Sequence, residues 1–397
     1  MEFALAWYLT LKTGSATVLA TAMLVAFLPQ IILGPIIGPF VDRWNRKRIM
    51  ILADSGIALI TVGLVILFFT GAIQVWHIYV AMVLRAAGQS IHFPALQASI
   101  TLIVPEKHLS RAAGLNQMLQ GIIGIAAPPA GALLMELLPM QGVLAVDIFT
   151  ASIAVGCLLM VFIPQPERTQ AAAKATIMAD MLEGFRYVWS WRGLRILIGI
   201  SAILGLFLTP AFTLLPILVN NHLGGDVVKL GWLESALGVG IIAGGLLLGV
   251  WGGFRKRILT AVMGIIIGGV STIGLGFTSI AWYMLGLAAC FLIGFGLTLA
   301  NGPIMAVLQA LVAKDMQGRV FSLAGSLSAI MTPMGLAVAG PVADALGIRS
   351  IYYIAGAVVV MVALSALSIP SLINLEEAAK KTGLETDTEN IADKEYS

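Results

Sequence analysis

Eleven apolar runs, each about twenty residues or longer, recur along the chain at roughly 16–40, 49–69, 76–99, 114–137, 141–163, 194–219, 230–251, 258–279, 280–301, 320–345 and 350–372. A helix of about 20 residues crosses the ~30 Å hydrocarbon core of a bilayer. In lipid every backbone N–H and C=O must be satisfied within the protein, so spanning segments are helices or closed barrels, and runs of this length select helices. Of 397 residues, 59% are hydrophobic and only 11% charged. A soluble domain carries about a quarter charged residues. The chain therefore reads as an all-α polytopic membrane protein.

Glu2–Leu11, ahead of the first full run, is apolar but only about half the length a span needs. Its charged start would sit near mid-bilayer, a costly position, so helix 1 is expected to be truncated in this sequence. The loops separate by charge. One alternate set holds sixteen cations: Arg43, Arg46, Lys47 and Arg48, then Lys107 and Arg111, then Arg168, Lys174, Arg186, Arg192 and Arg195, then Arg255, Lys256 and Arg257, then Lys314 and Arg319. The other set holds three, Lys12, Lys229 and Arg349. The positive-inside rule puts the first set, and both termini of the complete protein, in the cytoplasm.

The chain also repeats itself. RKRI at Arg46–Ile49 recurs at Arg255–Ile258, Pro94 recurs at Pro303, and Arg111 at Arg319, all at an offset of 208 or 209 residues. Both copies face the same side, which describes a parallel repeat about an axis along the membrane normal. The expected organisation is an N-terminal helix bundle at 1–163 and a cytoplasmic linker at 164–193. A C-terminal bundle at 194–375 and an acidic, disordered tail at 376–397 follow. In the linker, Ile177, Met178, Met181, Leu182, Phe185, Val188 and Trp189 share one helical face, as in a helix lying on the membrane surface.

The loop Gly38-x-x-x-Asp42-Arg43-x-x-Arg46-Lys47 resembles the signature between helices 2 and 3 of the major facilitator superfamily, with Asn45 where a second glycine is usual. Within it, LKTGSA (Leu11–Ala16), GPIIGPFVDR (Gly34–Arg43), FPALQA (Phe93–Ala98), GGLLLGVWGGF (Gly244–Phe254) and GRVFSL (Gly318–Leu323) resemble the macrolide-efflux branch of bacterial drug:proton antiporters. The resemblance implies two six-helix bundles, a multi-pass protein of the bacterial cytoplasmic membrane, and proton-coupled export. It implies a gating role for Gly38, Asp42, Arg43, Arg46 and Lys47, with the Asp42 carboxylate meeting the positive end of a helix in the other half. The alternative is that this loop only sets topology.

Arg85 stands mid-way along helix 4, where an unpaired cation costs at least ~2.5 kcal/mol, so it must face a cavity or a partner. Arg85-x-x-Gly88 resembles the superfamily's helix-4 motif, whose arginine is implied in proton coupling. Asp147, at a similar depth in helix 6, is the expected partner, with Asp54 a further candidate that also fits a charge network beside Asp42. A pair that merely ties helices together is the alternative. Glu234 is a further embedded acid, Glu136 and Asp344 are expected at solvated outer ends, and Glu2 and His92 are weaker candidates. In helix 5, Gly124, Pro128 and Gly131 are expected, with Gly88, to allow close helix packing. They partly match the antiporter signature.

Cys157 and Cys290 lie inside apolar runs, and no metal-ligand spacing, nucleotide loop or catalytic triad is evident, which disfavours an enzyme. The expected activity is export of a bulky amphipathic compound in exchange for protons, with no cofactor and no nucleic acid, by a chain that suffices as a monomer in lipid. Met23, Phe27, Phe207, Phe212, Phe291 and Phe295 are expected to line its cavity. Export of an endogenous metabolite such as a siderophore, and a truncated remnant that transports nothing, are the alternatives.

Overall fold

The computed structural model describes residues 1–105, 108–163, 185–189, 191–312 and 314–373, with the backbone alone over 34–43 and at some positions beside the gaps. The expected linker helix lies largely outside the described residues, as does the tail. The described residues are helical throughout their ordered elements. They form α1 (Glu2–Thr13), α2 (Ala16–Arg43), α3 (Arg46–Phe69), α4 (Val75–Ile103), α5 (Leu109–Leu137), α6 (Met140–Met160) and α7 (Arg192–Thr213). After these come α8 (Leu215–His222), α9 (Val227–Trp251), α10 (Arg257–Gly276), α11 (Tyr283–Leu311), α12 (Lys314–Leu346), α13 (Ile348–Leu367) and α14 (Pro370–Ile373).

Local chemistry explains the boundaries. Gly14 ends α1 in the left-handed region at φ 62°, donating its N–H to the Thr10 carbonyl. Asn45 caps α3, its side chain accepting from the Arg48 N–H at 3.0 Å, so the residue in place of the usual glycine does the turn's work. The apolar runs 194–219 and 350–372 are each divided in two. Pro216 and Pro370 have no N–H to continue the preceding helix, and α8 and α14 start beside them.

Ten of the described helices are long and apolar enough to cross a membrane. At 29 residues α4 is also long enough, but Arg85, Gln89, Ser90 and His92 dilute its apolar character. Large apolar side chains stand exposed on these helices, among them Leu59, Phe149, Leu246 and Val250, which a lipid solvent accommodates. The chain is a multi-pass membrane protein. The sequence repeat is visible in the elements: α4 and α11 are both 29 residues long, with Pro94 and Pro303 inside them.

The residues fall into two compact units. One contains Met1–Lys174, Phe212–Ser235 and Leu336–Ile348; the other contains Ala175–Ala211, Ala236–Gly335 and Arg349–Ser397. In the first, α3 packs against both α4 and α6, and α2 against α4, around buried Leu5, Leu9, Leu64, Ile78 and Leu144. In the second, α10 and α11 meet backbone to backbone. A Cβ at Gly264 would lie 2.5 Å from the Gly296 carbonyl oxygen, and one at Gly296 the same distance from that of Gly264. Such glycine contacts replace the hydrophobic drive that lipid removes.

Candidate functional site: a charged network between three helices

Because α3 lies between α4 and α6, it brings one residue from each helix together. Arg85 Nη1 donates to Asp147 Oδ2 at 3.0 Å and to Thr61 Oγ1 at 2.7 Å. Thr61 Oγ1 lies 3.1 Å from the same Asp147 oxygen, 3.0 Å from the Ile57 carbonyl and 3.6 Å from Met1 Sδ, so three acceptors compete for its single proton. Thr61 is fully buried, while Arg85 and Asp147 keep 13% and 26% of their side-chain surface. The pair is thus shielded by protein yet reachable from a cavity. That is where an ionisable pair can respond to a proton or a ligand.

Two turns along the antiparallel α3–α4 pair stands a second polar contact, His92 Nε2 to Asp54 Oδ1 at 3.4 Å. Between the two contacts, Ile57 packs against Gly88, where an added Cβ would meet the isoleucine tip at 2.9 Å. Asp54 therefore has a partner on helix 4. Of the expected gating residues, Gly38, Asp42 and Arg43 have only their backbone described, within α2. Arg46 Nη1 donates to the Ala98 carbonyl at 3.3 Å and Lys47 Nζ to the Leu159 carbonyl at 2.8 Å. Both cations thus sit at the C-terminal ends of helices, α4 and α6, where the helix dipole favours positive charge.

Two cavities flank the start of α1. One, of about 600 Å³, is lined by Met23, Phe27 and Phe93, with Glu2, Gln30 and Gln89 among its polar groups. The other, of about 320 Å³, is lined by Phe3, Pro128, Gly131 and Thr150 and by two acids, Asp147 and Glu234. Met23 and Phe27 thus line one of the two cavities. Phe291 and Phe295 stack on each other at 6.2 Å, and their backbone abuts Gly240 and Gly244 in the second unit. Phe207 and Phe212 lie half-buried on α7 and line neither cavity.

A sequence profile of the Major Facilitator Superfamily matches residues 2–336. The chain belongs to that superfamily. Macrolide efflux protein A of Streptococcus pyogenes is 32% identical over 376 residues, covering 95% of this chain and 93% of the relative. Multidrug efflux pump Tap of Mycolicibacterium fortuitum is 26% identical over 391 residues, covering 94% and 92%. The crystal structure of nucleoside transporter NupG superposes with a TM-score of 0.69 at 12% identity over 92% of this chain and 96% of that one, a likeness of fold. This superfamily member is a transport protein, not an enzyme, of the macrolide-efflux-like branch.

Helix 5 of the transporter packs differently from the expectation. Gly124 has open space beside it, because the face that meets α9 is the stripe Ile125, Pro128, Pro129 and Ala132, one residue round the helix. There a Cβ on Gly231 would lie 3.0 Å from Ala132 Cβ and 3.1 Å from both the Pro128 oxygen and Pro129 Cα. Gly131 only touches the Phe3 ring, at 3.4 Å. Asp344 is exposed, as expected of an outer helix end, and also accepts from Ala16 N–H at 2.7 Å, Thr17 N–H at 3.0 Å and Ser15 Oγ at 2.7 Å. It caps α2 from another helix, one turn along α12 from Gly340, which packs on Thr17 and Ala20. Thr61, Gly231 and Ser235 carry no signal in sequence: a lone hydroxyl or glycine in an apolar helix looks like any other.

Proposed function

We propose that the protein is a secondary active exporter that moves a bulky, amphipathic, macrolide-like compound out of the cytoplasm in exchange for protons, by alternating access. The observation that carries this is the Arg85–Thr61–Asp147 network, a charged cluster inside spanning helices that also lines a cavity. In the occluded pair Arg85 stabilises the Asp147 carboxylate. A proton on Asp147 weakens that attraction and frees Arg85, which keeps its bond to Thr61, to turn to another acceptor. The pair therefore has two states that a proton selects, which is what coupling requires. The 600 Å³ cavity, apolar with a few amides and a carboxylate, suits an amphipathic substrate.

The names of the relatives support a macrolide or a broader drug range. On this reading the proton gradient is the only energy source, no cofactor is needed, and the partners are the substrate, protons and lipid. One chain works alone in a bacterial cytoplasmic membrane, with its termini in the cytoplasm. Asp42, with Arg43, Arg46 and Lys47, gates the cytoplasmic side, so Asp42→Asn impairs transport without impairing insertion.

The test is accumulation of a radiolabelled macrolide in a pump-deficient bacterium, with and without the protein and with and without a protonophore. Expression is expected to lower accumulation, and the protonophore to restore it. Unchanged accumulation across a broad drug panel, with the protein present in the membrane, contradicts the reading and turns attention to an endogenous metabolite.

A further inference from the structure

The two acids of the 320 Å³ cavity are not alike. Asp147 is paired with Arg85 and Thr61. Glu234, on α9, has no hydrogen-bond or ion-pair partner among the described residues, and the chain's amino group at Met1 has Asp147, Arg85 and Glu2 as its electrostatic neighbours instead. Glu234 is nevertheless held in place. Its neighbours on the same helical face, Gly231 and Ser235, fix α9 on α5 through the Pro128–Pro129 backbone and the Ile125 carbonyl. That face turns the glutamate toward the cavity wall formed by Pro128, Gly131 and Phe3.

A carboxylate in this position, inside a spanning helix and facing largely apolar walls, pays for its lost hydration unless a positive group meets it. The structure supplies Asp147 with such a group and leaves Glu234 open to the cavity. The cavity has room for a substituted ammonium and the ring that bears it, and its aromatic and proline surfaces suit N-methyl groups. The bulk of a larger compound has the 600 Å³ cavity on the other flank of α1.

We propose that Glu234 recognises a positive charge on the transported compound, so that the substrates are amphipathic amines and the protonated nitrogen sits in the cavity beside Asp147. This rests on the exporter reading for its physiological meaning, but binding can be tested without transport. The experiment is equilibrium dialysis of the purified full chain in detergent against two probes. One is erythromycin, whose dimethylamino sugar is protonated at pH 7. The other is its N-desmethyl-N-acetyl derivative, of similar size and uncharged.

The wild type is expected to bind the amine about 30-fold or more tightly than the amide, the loss typical when one partner of a desolvated charge pair is removed. Glu234→Gln should bring the amine down to the affinity of the amide and leave the amide unchanged. Equal binding of both probes by the wild type, binding of neither, or an equal loss of both in Glu234→Gln would overturn the assignment. Vesicle uptake of the same probes separates the two readings: discrimination in binding without flux would overturn export and leave Glu234 as the charge reader.

Discussion

Ser235 Oγ donates to the carbonyl of Ile125 at 2.9 Å, and that carbonyl is the one Pro129, lacking an N–H, leaves without its helical donor. A hydroxyl on α9 thus completes the backbone of α5 where the helix lacks a bond. In lipid such a group has no water to turn to. Ser235→Ala is expected to cost about 0.6–1.7 kcal/mol, the range of interhelical hydrogen bonds in membranes. Thermal unfolding in detergent reads this directly. Pro129→Ala returns the helical N–H, so adding it to Ser235→Ala should recover most of the loss. A double variant no more stable than Ser235→Ala would contradict the account.

The same contact makes Gly231 a tight constraint where α9 meets α5. Any β-carbon there meets the α5 backbone and Ala132 rather than the end of a flexible side chain. Gly231→Val is expected to cost about 1–3 kcal/mol by overpacking, while Gly124→Ala, facing open space, is expected to be close to neutral. Melting temperatures of the two purified variants check the contrast.

Arg85 and Asp147 form a pair whose halves are each worse alone than absent together. Arg85→Met strands a carboxylate inside the spanning helices and Asp147→Leu strands a guanidinium. The double variant strands neither. A double-mutant cycle on unfolding is expected to give a coupling of about 0.5–3 kcal/mol, with the double variant more stable than the sum of the singles implies. All three should be inserted and none should couple protons. Proton-coupled transport in the double variant would show the pair to be a structural tie.

The spanning helices were the most legible feature, because span length is counted along the chain and needs no tertiary information. Arg85 and Asp147 were also legible, since a charge in a spanning helix must find a partner and each was the natural partner of the other. What surrounds them was not. Thr61 is a hydroxyl among apolar residues, and its role comes from α3 lying between α4 and α6. In helix 5 the residues Gly124, Pro128 and Gly131 look like one small-residue face. The contact with α9 instead runs through Ile125, Pro128, Pro129 and Ala132, and a rotation of one residue is fixed only by the neighbouring helix. Asp344 shows the same limit: its position at a helix end implied the solvation it has, but only the fold sets the α2 N-terminus beside it.

At that N-terminus, Asp344 accepts from two backbone N–H groups and a serine hydroxyl. Asp344→Ala removes all three bonds and should lower the melting temperature more than Asp344→Asn, whose amide oxygen still accepts. Equal melting temperatures for the two variants and the wild type would show the cap to be energetically idle.

The central claim is that protons move against substrate through the Arg85–Thr61–Asp147 network. It is tested most directly in proteoliposomes carrying a trapped pH dye, with an imposed macrolide gradient and no initial pH difference. Substrate flow down its gradient is expected to drive protons the opposite way in the wild type. In Asp147→Asn that proton flow should vanish while substrate binding persists. Substrate flux in the wild type with no accompanying pH change, or undiminished proton flow in Asp147→Asn, would contradict it.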